Sequence, residues 1–311
     1  MILLRRTYIS KFLTTTLTVV VLLVLTRPLL AQQSAVKNQM KKVFVNGVEL
    51  HYIKRGQGVP IIFIHGGLAD YRYWGAQIEP FSQRHRVIVY SRRYNYPNNN
   101  PNIRTDHSAV VEAADLAALI KTLKLGRVYI VGHSYGAYTA LFLAVKHPEM
   151  VRALVLAEPP VLRWVLDVPR GEAVFEEFMN NIWRPAGQAF QRGNEERALR
   201  LTVDYFIGKG AFDQLPQEFR AILMDNIREW EALTTSRDAF PLLRREDARR
   251  IKVPTLMLTG DRTLRIHQLV NDELEHLLSN GERVRINATH EMWEEQPEKC
   301  RQATLAFLIK H

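Results

Sequence analysis

Apolar positions along this chain follow two rhythms, one of strands and one of helices. Val43–Val45 and Val48–Ile53 flank Asn46-Gly47, a pair that supplies the positive φ angles of a tight turn, so this stretch predicts a β-hairpin. Pro60–Ile64 is a continuous apolar run, the mark of a strand buried on both faces, and Arg86–Tyr90 is another. Val128–Val131, Arg152–Ala157, Thr255–Thr259 and Arg283–Asn287 complete the strands. Between them, Val110, Val111, Ala114, Leu116, Ala117, Leu119, Ile120 and Leu123 recur at helical spacing, with Asp106 placed to cap that helix. A final helix is predicted from about Glu298 to Lys310. The pattern changes from 161 to 245, where no strand is legible and the chain reads as amphipathic helices rich in aromatic residues.

Strand and helix therefore alternate on both sides of an all-helical interlude. The pattern predicts an α/β fold with a mostly parallel, doubly wound sheet, its core formed by residues 42–160 and 246–311 and interrupted by a helical insertion. In such sheets ligands bind beyond the carboxyl ends of the strands. His65-Gly66-Gly67, Ser134, Glu158, Asp261 and His290 all stand at those ends.

Composition narrows the picture. At 311 residues and 47% hydrophobic, the chain can bury one large core with an inserted subdomain. The formal charge is +10, but Arg5, Arg6, Lys11 and Arg27 fall in an acid-free leader, and the remaining basic residues interleave with acids. Solvated helix faces explain that mixture, and no nucleic-acid partner is expected. Cys300 is the only cysteine, which excludes an intrachain disulfide and a cysteine-based metal site. The basic start, the apolar Phe12–Leu25 stretch and Ala31 ahead of polar residues resemble an export signal over residues 1–31. A span needs roughly 20 apolar residues, and this stretch is shorter, so an uncleaved anchor is the second reading. Either way the folded part is expected outside the cytoplasm, periplasmic or secreted, with membrane contact only through that segment.

Gly132-His133-Ser134-Tyr135-Gly136 fits G-x-S-x-G between a buried strand and a helix. A strand turning abruptly into a helix holds a serine strained and exposed, and flanking glycines are needed where a Cβ would collide. With H-G-G at 65–67, the helical stretch after Glu158 and A-T-H at 288–290, the chain from about Lys42 to His311 resembles the α/β-hydrolase family. That resemblance implies an eight-stranded sheet and a helical lid over residues 161–245. It implies Ser134 as nucleophile, His290 as the base and the N–H groups of Gly67 and Tyr135 as the oxyanion hole. His65 is expected to brace the oxyanion loop, and His133 to point away from the serine's side of the turn. Many members carry an Asp where this chain has Thr263, and a hydroxyl cannot stabilise an imidazolium. Glu158, at the end of the preceding strand, is the favoured acid, with Asp261 as the alternative.

The implied activity is a serine hydrolase acting on a small ester, lactone or thioester, without metal or other cofactor. C–C bond hydrolysis and cofactor-free perhydrolysis use the same scaffold, and a non-catalytic ligand-binding member is the reading from another class. Ser134 argues against the aspartate-nucleophile dehalogenases and epoxide hydrolases of the fold. Leu68, Trp74, Trp164 and Trp293 are candidate pocket residues, although Trp293 could equally pack on the final helix. Most aromatics of the insertion are expected to form its own core. Arg92 or Arg93 could meet a substrate carboxylate, the plainer expectation being that both are solvated. Neither the substrate nor the oligomeric state is legible.

Overall fold

The computed structural model describes residues 40–311; the signal reading for residues 1–31 falls outside them. Among the described residues no helix is long and apolar enough to cross a membrane. Eight strands form one sheet: β1 (Lys41–Val45), β2 (Val48–Arg55), β3 (Pro60–Ile64), β4 (Arg86–Tyr90), β5 (Val128–His133), β6 (Val151–Ala157), β7 (Thr255–Gly260) and β8 (Gly281–Ile286). Their spatial order is β1-β2-β4-β3-β5-β6-β7-β8. β2 is antiparallel to β1 and β4, and every pair from β4 through β8 is parallel. The hairpin closes with Val45 opposite Val48, and Asn46 and Gly47 both take positive φ, as the dipeptide predicts.

The middle strands are buried on both faces because helices cover each side. The core helices are α1 (Gly75–Ser82), α2 (Ala109–Thr122) and α3 (Tyr135–Lys146). Ile62 and Ile64 of β3 share a cluster with Leu116 and Ile120 of α2 and Leu141 of α3. On the other face the Phe63 ring meets Trp74 and Phe81, each with centroids 5.0 Å away. Each such buried side chain contributes roughly 1.5–3 kcal/mol. Ser108, not Asp106, stands at the N-cap of α2; Asp106 is exposed and takes Arg104 as a partner two residues away.

Between β6 and β7 the described residues are helical or irregular. After a tight turn at Leu162–Asp167 come α4 (Gly171–Phe178), α5 (Arg184–Gln191), α6 (Glu195–Phe206), α7 (Ala211–Gln214), α8 (Gln217–Asp225), α9 (Ile227–Thr234) and α10 (Arg245–Arg249). Trp183 is the hub of this region, with ring centroids 4.4 Å from Phe240, 5.2 Å from Trp230 and 5.8 Å from Phe178. The aromatics therefore build the insertion's own core. The chain ends through α11 (Arg265–Leu277), α12 (Met292–Glu295) and α13 (Pro297–Lys310).

Candidate active site

Ser134 sits between β5 and α3 at φ 50°, ψ −120°, a region that non-glycine residues avoid. Holding it there costs on the order of 1–3 kcal/mol. A Cβ on Gly132 would fall 2.7 Å from Ala137 backbone atoms, and one on Gly136 would fall 2.4 Å from Ile64 O. Both glycines are thus required by close backbone approach. Ser134 N–H is tied to Ala157 O at 2.7 Å, and the first helical bond is Tyr138 N–H to Ser134 O. The Tyr135 N–H stands ahead of that bond at the helix start, where donors have no helical partner.

Glu158 and His290, 132 residues apart in sequence, meet at the carboxyl edge of the sheet. His290 Nδ1 lies 2.7 Å from Glu158 Oε2. A carboxylate only accepts, so Nδ1 carries the proton and Nε2 is left with its lone pair. Thr263 Oγ1 donates to the same oxygen at 2.7 Å, and Gly260 N–H donates to Oε1 at 2.8 Å. The Thr263 hydroxyl thus supports the Glu158 carboxylate from the end of the neighbouring strand. Glu158 is fully buried, whereas Asp261 is exposed and only its backbone joins the sheet edge, through N–H to Ile286 O. Burial and the neighbouring His133 push the His290 pKa well below its ordinary value.

His133 does not point away. Its Nε2 donates to His290 O at 2.9 Å, its ring centroid lies 4.7 Å from that of His290, and its other face stacks on Tyr73 at 5.1 Å. Burial, only partly offset by the His290 carbonyl and Glu158, holds its pKa at about 4, so it is neutral. It supports the loop that carries His290.

The H-G-G turn is tied down from below. Arg92 N–H donates to His65 Nε2 at 3.1 Å, which leaves Nδ1–H to donate to Gly66 O at 2.9 Å. His65 is therefore neutral, in keeping with a pKa driven well below normal by burial and then by Arg92. Its bracing position agrees with expectation, but the two arginines depart from it. Arg92 is fully buried, with Nη1 3.0 Å from Glu112 and Nη2 2.5 Å from Glu229 and 2.9 Å from Gly66 O. Arg93 is also buried and grips Asp115 with two bonds of 2.7 and 2.8 Å. Neither is solvated and neither is free for a substrate carboxylate. Sequence could not show this, because each partner lies on a distant helix.

The pocket candidates are all buried or part of the turn. Trp74 is fully buried among Phe63, Tyr73 and Trp293, each with ring centroids 5.0 Å away. Trp164 is buried at the base of the insertion, its Nε1–H bonded to Leu243 O at 2.6 Å. Leu68 stays on the H-G-G turn, at φ 51°, its N–H given to Glu229. The aromatic neighbours of the site are others. Phe206 stacks near His290 at 6.1 Å, and a Cβ on Gly67 would fall 3.0 Å from the Trp230 ring. Both belong to the aromatic run of the insertion, but nothing in their spacing singles them out.

Glu158, His267 and His290 bring ligand-type atoms within 4.8 Å of one another, as do His133, His290 and Glu291. The first group fits a metal poorly. His267 and His290 stack at 4.2 Å with planes 15° apart, so their in-plane lone pairs run side by side rather than converging. In the second, His133 Nε2 is already committed to His290 O.

The model of the family described as alpha/beta hydrolase fold matches residues 59–297. Over 269 residues the chain is 25% identical to (E)-2-((N-methylformamido)methylene)succinate hydrolase of Acinetobacter baylyi, covering 85% of this chain and 95% of that protein. It is 28% identical over 144 residues to 2-(acetamidomethylene)succinate hydrolase of Mesorhizobium japonicum, a match spanning 44% of this chain and about half (51%) of that one. Among solved structures, the enol-lactonase from Burkholderia xenovorans LB400 superposes with a TM-score of 0.71 at 20% identity, over 86% of this chain and 100% of that one.

Proposed function

The chain belongs to the alpha/beta hydrolase fold family, and from that premise we propose that it is a serine hydrolase cleaving a small ester, lactone or thioester through an acyl-enzyme on Ser134. The observation that carries this reading is the buried Glu158–His290 pair, 2.7 Å apart, at the same sheet edge as the strained Ser134. Ser134 Oγ attacks the carbonyl carbon while His290 Nε2 takes its proton, and the imidazolium so formed is held by Glu158 through Nδ1–H. The carbonyl oxygen, now negative, receives the N–H groups of Gly67 and Tyr135; one such donor is worth about 10²–10³ in kcat. His290 returns its proton to the leaving oxygen or sulfur as that bond breaks. Water, deprotonated by the same base, then attacks the acyl carbon; the bond to Ser134 Oγ breaks with return of the proton to Oγ, and the acid is released.

The relatives with carboxylate-bearing names do not decide the substrate. With Arg92 and Arg93 both buried and paired with carboxylates, an uncharged acyl group suits the site better, and the rings of Phe206 and Trp230 favour an apolar one. Treatment with a fluorophosphonate probe tests the reading. Labelling at Ser134 that is abolished in Ser134→Ala supports it, and a folded protein that resists labelling and cleaves no ester in a graded series rejects it.

A further inference from the structure

We propose that Glu229, on α9 of the helical insertion, is a positioning residue for the oxyanion hole, setting the Gly66–Gly67–Leu68 turn through Arg92 and through the Leu68 N–H. The proposal rests on the serine-hydrolase reading above.

The Gly67 N–H and the Gly66 carbonyl belong to one peptide unit, and in a trans peptide the two point in opposite directions. Whatever fixes Gly66 O therefore aims the Gly67 N–H. Gly66 O accepts from Arg92 Nη2 at 2.9 Å and from His65 Nδ1 at 2.9 Å. A cation bonded to the carbonyl also polarises the amide and strengthens its N–H as a donor.

Glu229 acts on both ends of this unit. Its Oε1 lies 2.5 Å from Arg92 Nη2, the same nitrogen that holds Gly66 O. Its Oε2 accepts the Leu68 N–H at 3.0 Å. That second bond is informative because Leu68 sits at φ 51°, a conformation a leucine leaves unless held. Glu229 is fully buried, so neither contact is screened by water. Arg92 has a second carboxylate, Glu112, on α2, so its charge would be balanced without Glu229. A carboxylate from the insertion adds what Glu112 cannot: a grip on Leu68 and a link between the turn and α9. The donor turn is set only while α9 is seated.

Glu229→Gln keeps an oxygen for Leu68 but loses the charge on Arg92; Glu229→Ala loses both. Arg228→Ala is the control, since Arg228 lies next to Glu229 on the same helix but makes only an exposed bond to Pro101 O, away from the turn. On an ester cleaved by the wild type, kcat should fall about tenfold in Glu229→Gln and about 10²–10³-fold in Glu229→Ala. KM should stay within about threefold, as for an interaction made chiefly in the transition state. Affinity for an arylboronic acid, whose tetrahedral adduct places an oxygen in the hole, should weaken in step with kcat. Arg228→Ala should match the wild type. If Glu229→Ala does not fold, Glu229→Gln decides. Wild-type kcat and boronate affinity in Glu229→Gln would overturn the proposal, as would a rise in KM alone or an equal loss in Arg228→Ala. A wild-type protein that neither cleaves esters nor binds the boronate would overturn the hydrolase reading itself, and this proposal with it.

Discussion

Two buried charge clusters flank Ser134, and they are built on opposite principles. On one side Glu158 holds a single histidine, His290, whose far nitrogen has a lone pair free to take a proton. On the other, Arg92 stands between Glu112 and Glu229 and is ionised at any pH the fold survives. Burial alone would raise the Glu112 pKa, but Arg92 and His107 together overturn that effect and bring it to about 2. The first cluster can change its charge during a reaction; the second cannot, and it fixes the dipoles around the H-G-G turn. The acyl transfer proposed above needs both, because a proton must move while the groups receiving negative charge stay still.

The largest effect should come from the mobile side. Glu158→Gln should lower kcat by about 10³–10⁴-fold, since an amide cannot hold His290 in the right tautomer or balance its charge. Asp261→Asn should leave kcat within about threefold, because that side chain is exposed and apart from His290. Steady-state kinetics on the pair decides between them: a loss in Asp261→Asn with activity retained in Glu158→Gln would reverse the assignment.

The static side should register as stability. Arg92→Met leaves Glu112 and Glu229 buried without their cation, a change that costs about 3–5 kcal/mol when a buried pair is broken. Thermal unfolding should show Tm lowered by about 10 °C. An unchanged Tm would mean that the two carboxylates take up protons at little cost and that the cluster is not held by charge.

The two clusters were unequally legible. Strand-end placement and the glycines around Ser134 bring Ser134, His290 and Glu158 to one edge from sequence alone, because successive parallel strands place their carboxyl ends on one side. The missing acid at Thr263 even pointed to Glu158. Pro60–Ile64 and Arg86–Tyr90 appear as strands with unaltered ends, since runs buried on both faces leave little freedom in their limits. The Arg92 cluster was hidden. It depends on how α2 and α9 pack against the turn after β4, and an arginine in a polar stretch carries no mark of burial. His133 was misread for a related reason: its direction is set by the His290 loop, 157 residues away.

Acidity separates the clusters further. His290 accepts a proton only when neutral, and its folded pKa lies below 6.5, so kcat/KM should be full at neutral pH and fall only as pH drops through that lowered value. A pH–rate profile for ester hydrolysis with its acid limb at or above pH 6.5 would contradict the buried environment. Arg92, held ionised, and Glu112, brought to about 2, should add no limb of their own in that range.

His267 gives the smallest and most selective test. It is fully enclosed, stacks on His290 at 4.2 Å, and neither ring nitrogen has a hydrogen-bond partner among the described residues. Burial, and then the neighbouring His290, lower its pKa to about 3, below the ordinary value of an unfolded chain. As pH falls below 6.5 the unfolded state takes up this proton first, so His267 costs the fold about 1.4 kcal/mol per pH unit until its folded pKa is reached. His267→Phe preserves a flat ring against His290 and removes both the unpaired nitrogens and the proton. At neutral pH it should be neutral to slightly stabilising, by about 1 kcal/mol, with kcat within about threefold. Its advantage in unfolding free energy should widen as pH is lowered from 6.5 toward 4, read by denaturant unfolding at each pH. A gap that stays constant would show that His267 gains a partner on protonation, and a large loss of kcat would move it from the packing around His290 into the proton-handling cluster itself.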